Sequence, residues 1–290
     1  MKEKKKIILV KENSSLLNVL TNELVDLSNR TIRNYIKHGM VKVNNKVVKF
    51  SNTMLSTNDE VIINFSKREI PNYKLKIIYE DDDIIVIDKP AGLLTISNAK
   101  EKDITAFRMV SDYIKQNNPK SKLFVVHRLD QNTSGVLLFS KNLKLKEELQ
   151  DRWNELVKIR EYTCAVEGQL VKNGFFESYL TSDHNQIIHS TKNKKIGKYA
   201  KTNYEVVKYN SKYTLLRVQI DTGRRNQIRV HMSEHGHPIV GDKKYGSKDN
   251  SISRLALHAN RLVLTDARDG KELVFTSEVP ASIINICNKK

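Results

Sequence analysis

The stretch "VVHRLDQNTSGVLLFSKN" (residues 125–142) places charged residues between two apolar runs that have the character of strands. His127, Arg128 and Asp130 stand where the first run ends, so the carboxylate of Asp130 is expected to be partly buried. A buried carboxylate needs an opposite charge or several hydrogen-bond donors. With such a partner Asp130 stays ionised and oriented, as a nucleophile requires. The same residues can instead form a structural ion pair in which Asp130 caps the "QNTSG" turn.

Two further stretches carry residues suited to the same chemistry. "QIRVHM" (residues 227–232) alternates as a strand would, with its apolar residues on one face and Arg229 on the other, so we expect Arg229 to pair with Asp130. Tyr162 lies in the alternating stretch "KIREYTCAVEG", where it is either a site residue or a core aromatic. The sequence offers no nucleophile elbow, metal-ligand cluster or phosphate loop. A hydrolase that uses His127 and Asp130 as an acid–base pair is therefore set aside.

The elements around these residues are mostly predicted strands. They are indicated on both sides of the acidic turn in "LKIIYEDDDIIVID" and again in "REYTCAVEG", "KTNYEVVKYN", "YTLLRVQI", "LALHANRLVL" and "ELVFTSEVP", with helices near residues 103–116 and in "LKLKEELQDRWNE". The predicted fold class is α+β, with a mixed, largely antiparallel central sheet and flanking helices. This domain is predicted to span residues 76–290, after a linker at residues 67–75 that contains a proline and several charges.

Residues 1–66 are predicted to form a smaller α/β domain. "SSLLNVLTNEL" and "SNRTIRNYIKHG" carry apolar residues at helical spacing after serine N-cap candidates, and "MVKVNNKVVKF" alternates about a two-residue hairpin turn. Arg30, Arg33 and Lys37 recur at spacings of three and four, so they share one face of the second helix. They form a phosphate-binding face if RNA is the partner, and a solvated face otherwise.

The charge of the chain narrows the choice of partner. There are 50 Lys+Arg against 33 Asp+Glu, a formal net charge of +17 and a pI near 9.6. This excess favours a polyanionic partner, and colloidal solubility is the alternative reason for it. No apolar run is long enough for a spanning helix or a secretory signal, and two cysteines indicate neither a disulfide framework nor a zinc site. We expect a cytoplasmic protein, and nothing in the sequence demands more than a monomer.

The first domain resembles a known RNA-binding module. "SNRTIRNYIKHGMVKVNNKVV" followed by "LSTNDEVI" is similar to the alpha-L motif, first described in the fourth protein of the small ribosomal subunit. That family usually has a glycine in the hairpin turn where this chain has Asn44 and Asn45. Asparagine tolerates positive φ, so the turn should survive. The resemblance implies that Arg30, Arg33 and Lys37 contact RNA.

The second domain resembles the RluA-type pseudouridine synthases. "HRLDQNTSG" matches their signature of His-Arg-Leu-Asp, two variable residues and Thr-Ser-Gly. The other blocks of the family follow its order: "IIYEDDDIIVIDKPAGLLT", "REYTCAVEG", "TGRRNQIRVHM" with "HPIVGDKKYG", "LALHANRLVL" and "VFTSEVP". The resemblance covers residues 76–280. It implies isomerisation of uridine to pseudouridine on a nucleotide flipped out of its stack, without a metal or organic cofactor.

The resemblance also implies roles for individual residues. Asp130 matches the catalytic aspartate, which acts as a nucleophile or abstracts a ribose proton; the sequence leaves both open. Tyr162 matches the tyrosine that packs against uracil and takes part in removing the proton from carbon 5, and Arg229 matches the arginine that pairs with the aspartate. Arg128 matches a position that, in some family members, fills the gap left by the flipped base, and a planar cation there can also meet phosphates. His127 belongs with it to the substrate-binding loop, which its ring supports by hydrogen bonds.

One position departs from the family pattern. The arginine block commonly reads Thr-Gly-Arg, a variable residue and then His-Gln, whereas Asn226 stands here in place of the histidine. Asparagine forms hydrogen bonds but does not titrate near neutral pH, so no acid–base role is carried over.

Family members with this N-terminal module mostly act on large-subunit ribosomal RNA, which is the expected substrate. A tRNA pseudouridine synthase and a non-catalytic RNA-binding factor for ribosome assembly are the alternatives, and the sequence does not identify the modified uridine.

Overall fold

A computed structural model describes residues 5–37, 39–64, 74–97 and 104–288. The chain folds into two units, Met1–Asn72 and Tyr73–Lys290. Most of the linker predicted at residues 67–75 lies outside the described residues. No helix within the described ranges is long and apolar enough to cross a membrane.

The first unit combines a four-stranded antiparallel sheet with two helices. Its elements are β1 (Lys5–Leu9), β2 (Ser14–Ser15), α1 (Leu16–Glu23), α2 (Asn29–Lys37), β3 (Val41–Val43), β4 (Lys46–Val47), β5 (Met54–Leu55) and β6 (Glu60–Asn64). The strand order is β1–β6–β3–β4, and β2 pairs separately with β5. Apolar residues of both helices and of the sheet share one core.

Local signals set the ends of these elements. The hydroxyl of Ser15 accepts a hydrogen bond from the backbone N–H of Asn18 and so caps α1, as Ser28 does for α2 through Thr31. Between β3 and β4, Asn44 and Asn45 both have positive φ, +47° and +65°. These are the backbone conformations that a two-residue hairpin of type I′ needs. The two predicted helices and the hairpin are confirmed.

The second unit contains the remaining strands. Its elements are β7 (Ile77–Glu80), β8 (Ile84–Lys89), α3 (Ala106–Asn117), β9 (Phe124–Val125), β10 (Ser134–Ser140), α4 (Leu143–Asp151), α5 (Trp153–Leu156), β11 (Val157–Glu167), β12 (Gly174–Ser182), β13 (Ile188–Thr191), β14 (Lys198–Tyr209), β15 (Tyr213–Ile220), α6 (Gln227–Glu234), β16 (Leu257–Thr265), β17 (Glu272–Thr276) and α7 (Ala281–Ile284), with short 3₁₀ helices at Lys243–Tyr245 and Asn285–Asn288.

All eleven described strands of this unit form one sheet with helices on both faces. The order is β13–β12–β14–β15–β11–β16–β10–β8–β7, with β9 beside β10 and β17 beside β16. All neighbouring strands are antiparallel except β10 and β16. On β8, Ile85 and Ile87 pack in the core that includes α3, while Ile84 and Val86 pack in the core that includes α4. Because β8 is buried on both faces, its sequence is a continuous apolar run. The predicted α+β class with a mixed, largely antiparallel sheet is confirmed.

The parallel contact between β10 and β16 explains the Ser-Gly of the signature. Gly135 has φ +113°, and a Cβ atom there would lie 2.1 Å from the carbonyl oxygen of Ala259. Only glycine fits so close to the neighbouring backbone. The adjacent Ser134 hydroxyl lies 2.7 Å from Nδ1 of His258 on β16. The close approach of β10 to β16 therefore holds in place the start of β10, which follows the loop of Asp130.

One predicted element is wrong. "QIRVHM", which alternates like a strand, forms the helix α6, and every residue from Gln227 to Met232 is buried. A helix that is covered on all sides shows no apolar stripe with a period of 3.6 residues. The alternation of polar and apolar residues therefore gave a false strand signal.

Candidate active site

Asp130 lies in the loop between β9 and β10, which a buried lysine ties to the neighbouring loop. The side chain of Lys89, at the end of β8, is fully buried. Its ammonium donates hydrogen bonds to the carbonyl oxygens of Pro90 (3.0 Å), Leu93 (2.8 Å) and Gln131 (3.1 Å). Burial lowers the pKa of Lys89 to about 7, while the negative charge of Asp130 acts in the opposite direction. One buried group thus connects the loop of Asp130 to the loop that follows β8.

Arg229 approaches Asp130 from α6. Its Nη1 lies 3.2 Å from Oδ2 of Asp130, so the predicted contact is present. The stronger pair of Arg229 is with Asp242, to which Nε and Nη2 donate at 2.6 Å and 2.8 Å. The same Nη1 also donates to Oδ1 of Asn226 at 3.1 Å, and the guanidinium lies over the ring of Tyr245, 4.9 Å from its centre. Arg229 is therefore held in place from several sides.

The electrostatics keep Arg229 charged and leave one oxygen of Asp130 unused. Burial opposes the charge of Arg229, but the hydrogen bonds and charge of Asp242, followed by those of Asp130, outweigh it and raise the pKa of Arg229. The side chain of Asp130 is 28% exposed, and its Oδ1 has no hydrogen-bond partner among the described residues.

Tyr162 occupies β11 beside this pair. It packs at the border of two buried cores of the second unit. Burial raises the pKa of Tyr162 to about 12, the charge of Arg160 lowers it, and the charge of Asp130 raises it. The hydroxyl is therefore protonated near neutral pH.

The three predicted catalytic side chains line one small cavity. Asp130, Tyr162 and Arg229 border a space of about 80 Å³ together with Arg128 and Asn226. A larger groove of about 860 Å³ shares Asp130, Tyr162 and Arg128 with this cavity and extends beyond it. Within the described ranges, no three His, Cys, Asp or Glu side chains are grouped so that they could hold a metal ion.

The other two predicted residues of this loop differ in their surroundings. Arg128 is exposed and borders both the cavity and the groove. Nε2 of His127 accepts a hydrogen bond from the backbone N–H of Leu138 at 3.1 Å, and its ring lies 5.3 Å from that of Trp153. Burial lowers the pKa of His127 to about 4, with a smaller contribution from Arg160. The ring is thus uncharged near neutral pH and supports the loop by a backbone contact.

The three predicted RNA-contacting residues of the first unit lie on one helix. Arg30, Arg33 and Lys37 are exposed on α2, whose opposite face buries Ile32 and Ile36. Nη1 of Arg33 donates to the hydroxyl of a neighbouring serine at 3.4 Å, and neither arginine pairs with a described carboxylate. The three cations are therefore exposed on one face of α2.

Sequence reasoning missed two buried residues of the site. Asp242 is 2% exposed and holds Arg229 with both oxygens, and Lys89 is fully buried. Each is a charged residue next to an apolar run, Lys89 in "IIVIDKPAG" and Asp242 in "PIVGD". That placement was the available signal. Asn226, noted for its departure from the family pattern, adopts φ +55° and donates through Nδ2 to the hydroxyl of Tyr245 at 2.8 Å.

Comparisons with known families match both units. The RNA pseudouridylate synthase family matches residues 83–234, which include the Asp130 loop, β11 and α6. The S4 domain matches residues 15–61 of the first unit.

Individual proteins agree with these matches. The chain is 32% identical to the uncharacterized RNA pseudouridine synthase YhcT of Bacillus subtilis over 97% of this chain and 95% of that protein. It is 29% identical to the ribosomal large subunit pseudouridine synthase D of Yersinia pestis, over 91% of this chain and 86% of that protein. Among solved structures, human RNA pseudouridylate synthase domain containing 4 is similar in fold, with a TM-score of 0.59 and 20% identity over 72% of this chain and 90% of that one.

The family match covers more than half of the chain, and a relative above 30% identity aligns along nearly all of it. The chain therefore belongs to the RNA pseudouridylate synthase family, whose members are isomerases that act on uridine in RNA, and it carries an N-terminal S4 domain of the kind that binds RNA.

Proposed function

We propose that this protein isomerises specific uridines of large-subunit ribosomal RNA, with Asp130, Tyr162 and Arg229 as its catalytic residues. The observation that carries the residue assignment is the shared cavity, in which Arg229 holds one oxygen of Asp130 beside Tyr162. The ribosomal substrate is supported by the similarity to large-subunit pseudouridine synthase D along most of both chains. The net charge of +17 suits a large polyanion.

The reaction requires an ionised Asp130. The bond between carbon 1′ of ribose and N1 of uracil breaks, and a bond between carbon 1′ and carbon 5 replaces it. The proton on carbon 5 leaves and N1 gains one, so the product is an isomer of uridine. As a nucleophile Asp130 attacks carbon 1′ with an unpaired oxygen, and as a base it takes a ribose proton. Both routes suit a carboxylate with Oδ2 bound to Arg229 and Oδ1 unbound.

Tyr162 and Arg128 would act on the flipped nucleotide. Uracil reaches the cavity only after it leaves the stack, and enzymes hold such a base by stacking against aromatic side chains. Tyr162 supplies an aromatic ring beside Asp130. Arg128 is exposed at the rim, where a planar cation can take the place of the flipped base in the RNA or contact phosphates.

We also propose the division of labour between the domains. Residues 1–66 bind RNA through the α2 face of Arg30, Arg33 and Lys37, and residues 76–290 carry the chemistry. The exposure of all three cations supports this assignment. Replacing all three by glutamine in the full chain should weaken binding to rRNA and lower the slope of log affinity against log salt by up to about 2 to 3, because each lost phosphate contact releases one counterion fewer. An unchanged slope would exclude this face as the contact.

Tritium release from large-subunit rRNA labelled at carbon 5 of uridine tests the function. Wild type should release tritium, and Asp130→Asn should not, although it binds the RNA as well as wild type does. Asp112→Asn is the matched control, since Asp112 is an exposed carboxylate of α3 in a long ion pair of 3.6 Å with Arg108. Release by Asp130→Asn would refute the role of Asp130. Release of tritium from tRNA instead of rRNA would show that the substrate is tRNA. Release from neither RNA would favour a non-catalytic RNA-binding factor for ribosome assembly.

A further inference from the structure

The groove beside the catalytic cavity is lined mainly by cations. Five basic side chains border it, and its two acidic residues are Asp130 and Asp221. Asp130 is paired with Arg229, and Asp221 lies 3.4 Å from Lys201. The basic residues are Arg128, Lys158, Arg160, Arg224 and Arg225. The groove therefore carries a net positive charge next to the reacting carboxylate.

Arg160 is the most enclosed of these cations. It lies two residues before Tyr162 on β11 and so projects from the same face of the strand. Nη2 of Arg160 donates to the backbone carbonyl of Asp221 at 2.7 Å, and no described carboxylate lies within ion-pair distance of its guanidinium. Nη1 stands next to Gly223, where an added Cβ atom would lie 2.9 Å away. Burial lowers the pKa of Arg160, the charges of Tyr162 and Asp221 raise it, and the positive charge of Arg224 lowers it.

Arg224 faces the same groove from the loop before α6. Its Nε donates to the carbonyl of Tyr199 at 2.9 Å, and no described carboxylate pairs with it. Gln227 fixes the loop by accepting hydrogen bonds from the backbone N–H of Arg224 and the hydroxyl of Thr222. Arg160 and Arg224 are thus two anchored guanidiniums, each using one N–H on a backbone carbonyl and keeping its other N–H groups for the groove.

We propose that Arg160 and Arg224 together bind one phosphodiester of the RNA strand adjacent to the flipped uridine. This inference rests on the proposed function, since it places an RNA strand in the groove. A phosphodiester offers two anionic oxygens, which match the forked donors of guanidinium groups. It would also neutralise the mutual repulsion of two arginines that lack carboxylate partners. The missing side chain at Gly223 lets the backbone of the loop come close to Nη1 of Arg160, where an added Cβ atom would lie 2.9 Å away.

The shared phosphate predicts a specific salt dependence. Binding of a large-subunit rRNA transcript is measured from low to high salt in the full-length Asp130→Asn protein, so that turnover does not interfere. Adding Arg160→Gln and Arg224→Gln together should weaken binding at least about tenfold at low salt and lower the slope by about 0.7 to 0.9, the value for one phosphate. The proposal is wrong if the slope is unchanged. It is also wrong if the slope falls by about twice the expected amount, because each arginine would then contact a separate phosphate.

Two controls make the result specific. Arg217→Gln removes an exposed arginine of β15 that is paired with Glu205 at 2.8 Å, and it should leave the slope unchanged. Arg160→Lys keeps the charge but not the forked donors, so it should retain the slope and still lose affinity. Unchanged thermal melting of each variant shows that binding, and not folding, is affected.

Turnover separates this proposal from the proposed function. In protein with Asp130 intact, Arg160→Gln should raise KM for tritium release more than it lowers kcat, because the phosphate is bound before and during the reaction. If wild type releases no tritium but the slope falls as expected, the function fails and the phosphate site stands. If wild type releases tritium and Arg160→Gln changes neither KM nor the slope, the site fails and the function stands.

Discussion

Lys89 offers a test of the electrostatics around Asp130. Its side chain is fully buried, and its ammonium contacts three backbone carbonyls, one of them next to Asp130 in the chain. Burial lowers the pKa of Lys89 from an ordinary value of 10.5 to about 7. Lys89→Met keeps the approximate length and the apolar part of the side chain and removes the group that binds the proton.

The pKa of Lys89, 10.5 in the unfolded chain and about 7 in the folded protein, sets the sign and size of the pH effect on the free energy of unfolding. Below pH 7 the lysine is charged in the folded and the unfolded chain, and the fold bears the full cost of burying that charge, about 5 kcal/mol. Between pH 7 and 10.5 only the unfolded chain holds the proton, so the free energy of unfolding of wild type rises with pH. The hydrogen bonds lost in Lys89→Met lower stability by an amount that depends little on pH. The difference between wild type and Lys89→Met should therefore shift in favour of wild type by about 2.5 kcal/mol from pH 6.5 to pH 9.

Urea unfolding followed by tryptophan fluorescence measures this difference. Trp153 is the single tryptophan of the chain and packs against a core of the second unit, so its signal reports the unit that contains Lys89. Lys115→Met, at an exposed lysine of α3, is the matched control and should show no such change. A constant difference between wild type and Lys89→Met across this range would contradict a lowered pKa of Lys89 in the folded protein. It would mean that the three carbonyls stabilise the ammonium enough to keep it charged in the fold.

Three further predictions concern the cavity and its support. Burial raises the pKa of Tyr162 to about 12, so we expect its ring, and not an ionised hydroxyl, to be what turnover requires. Tyr162→Phe should keep the rate of tritium release within about tenfold of wild type, and Tyr162→Leu should lower that rate about 100-fold or more. A loss in Tyr162→Phe as large as in Tyr162→Leu would assign the proton transfer to the hydroxyl. Asp242→Asn should lower the free energy of unfolding by about 3 kcal/mol, because it leaves the buried guanidinium of Arg229 without its main partner. It should also reduce kcat more than RNA affinity, because that guanidinium orients Asp130. Equal losses in kcat and affinity would contradict this. Gly135→Ala should cost more than about 3 kcal/mol in urea unfolding, because its Cβ would lie 2.1 Å from a carbonyl oxygen at φ +113°, and a cost below about 1 kcal/mol would disprove the close crossing.

Elements with strong local signals were predicted well from the sequence. The helices capped by Ser15 and Ser28, and the hairpin at Asn44 and Asn45, depend on residues close together in the chain. The strands of the large sheet alternate or are continuously apolar according to whether one or both faces are covered. The contact of Arg229 with Asp130 was also predicted, although the strand on which that prediction rested is a helix.

The parts that were not predictable depend on residues far apart in sequence. Asp242 pairs with a guanidinium on α6, and Lys89 contacts the carbonyl of Gln131, 42 residues further along the chain. Neither of these partners is visible from the neighbouring residues. The fully buried helix α6 has no exposed face to impose a helical period, so the alternation of its residues indicated a strand.

The α+β class, the basic character of the first domain and the residue types of the site follow from the sequence alone, because periodicity, turn chemistry and charge depend on short stretches of chain. Which groups meet depends on the tertiary structure. The parallel crossing of β10 and β16, the double hold of Asp242 on Arg229, and the two arginines of the groove all come from packing between distant segments. Burying a charge or bringing two backbones close together costs free energy, and such a contact forms only where the surrounding core offsets that cost. No local sequence pattern shows where this is the case.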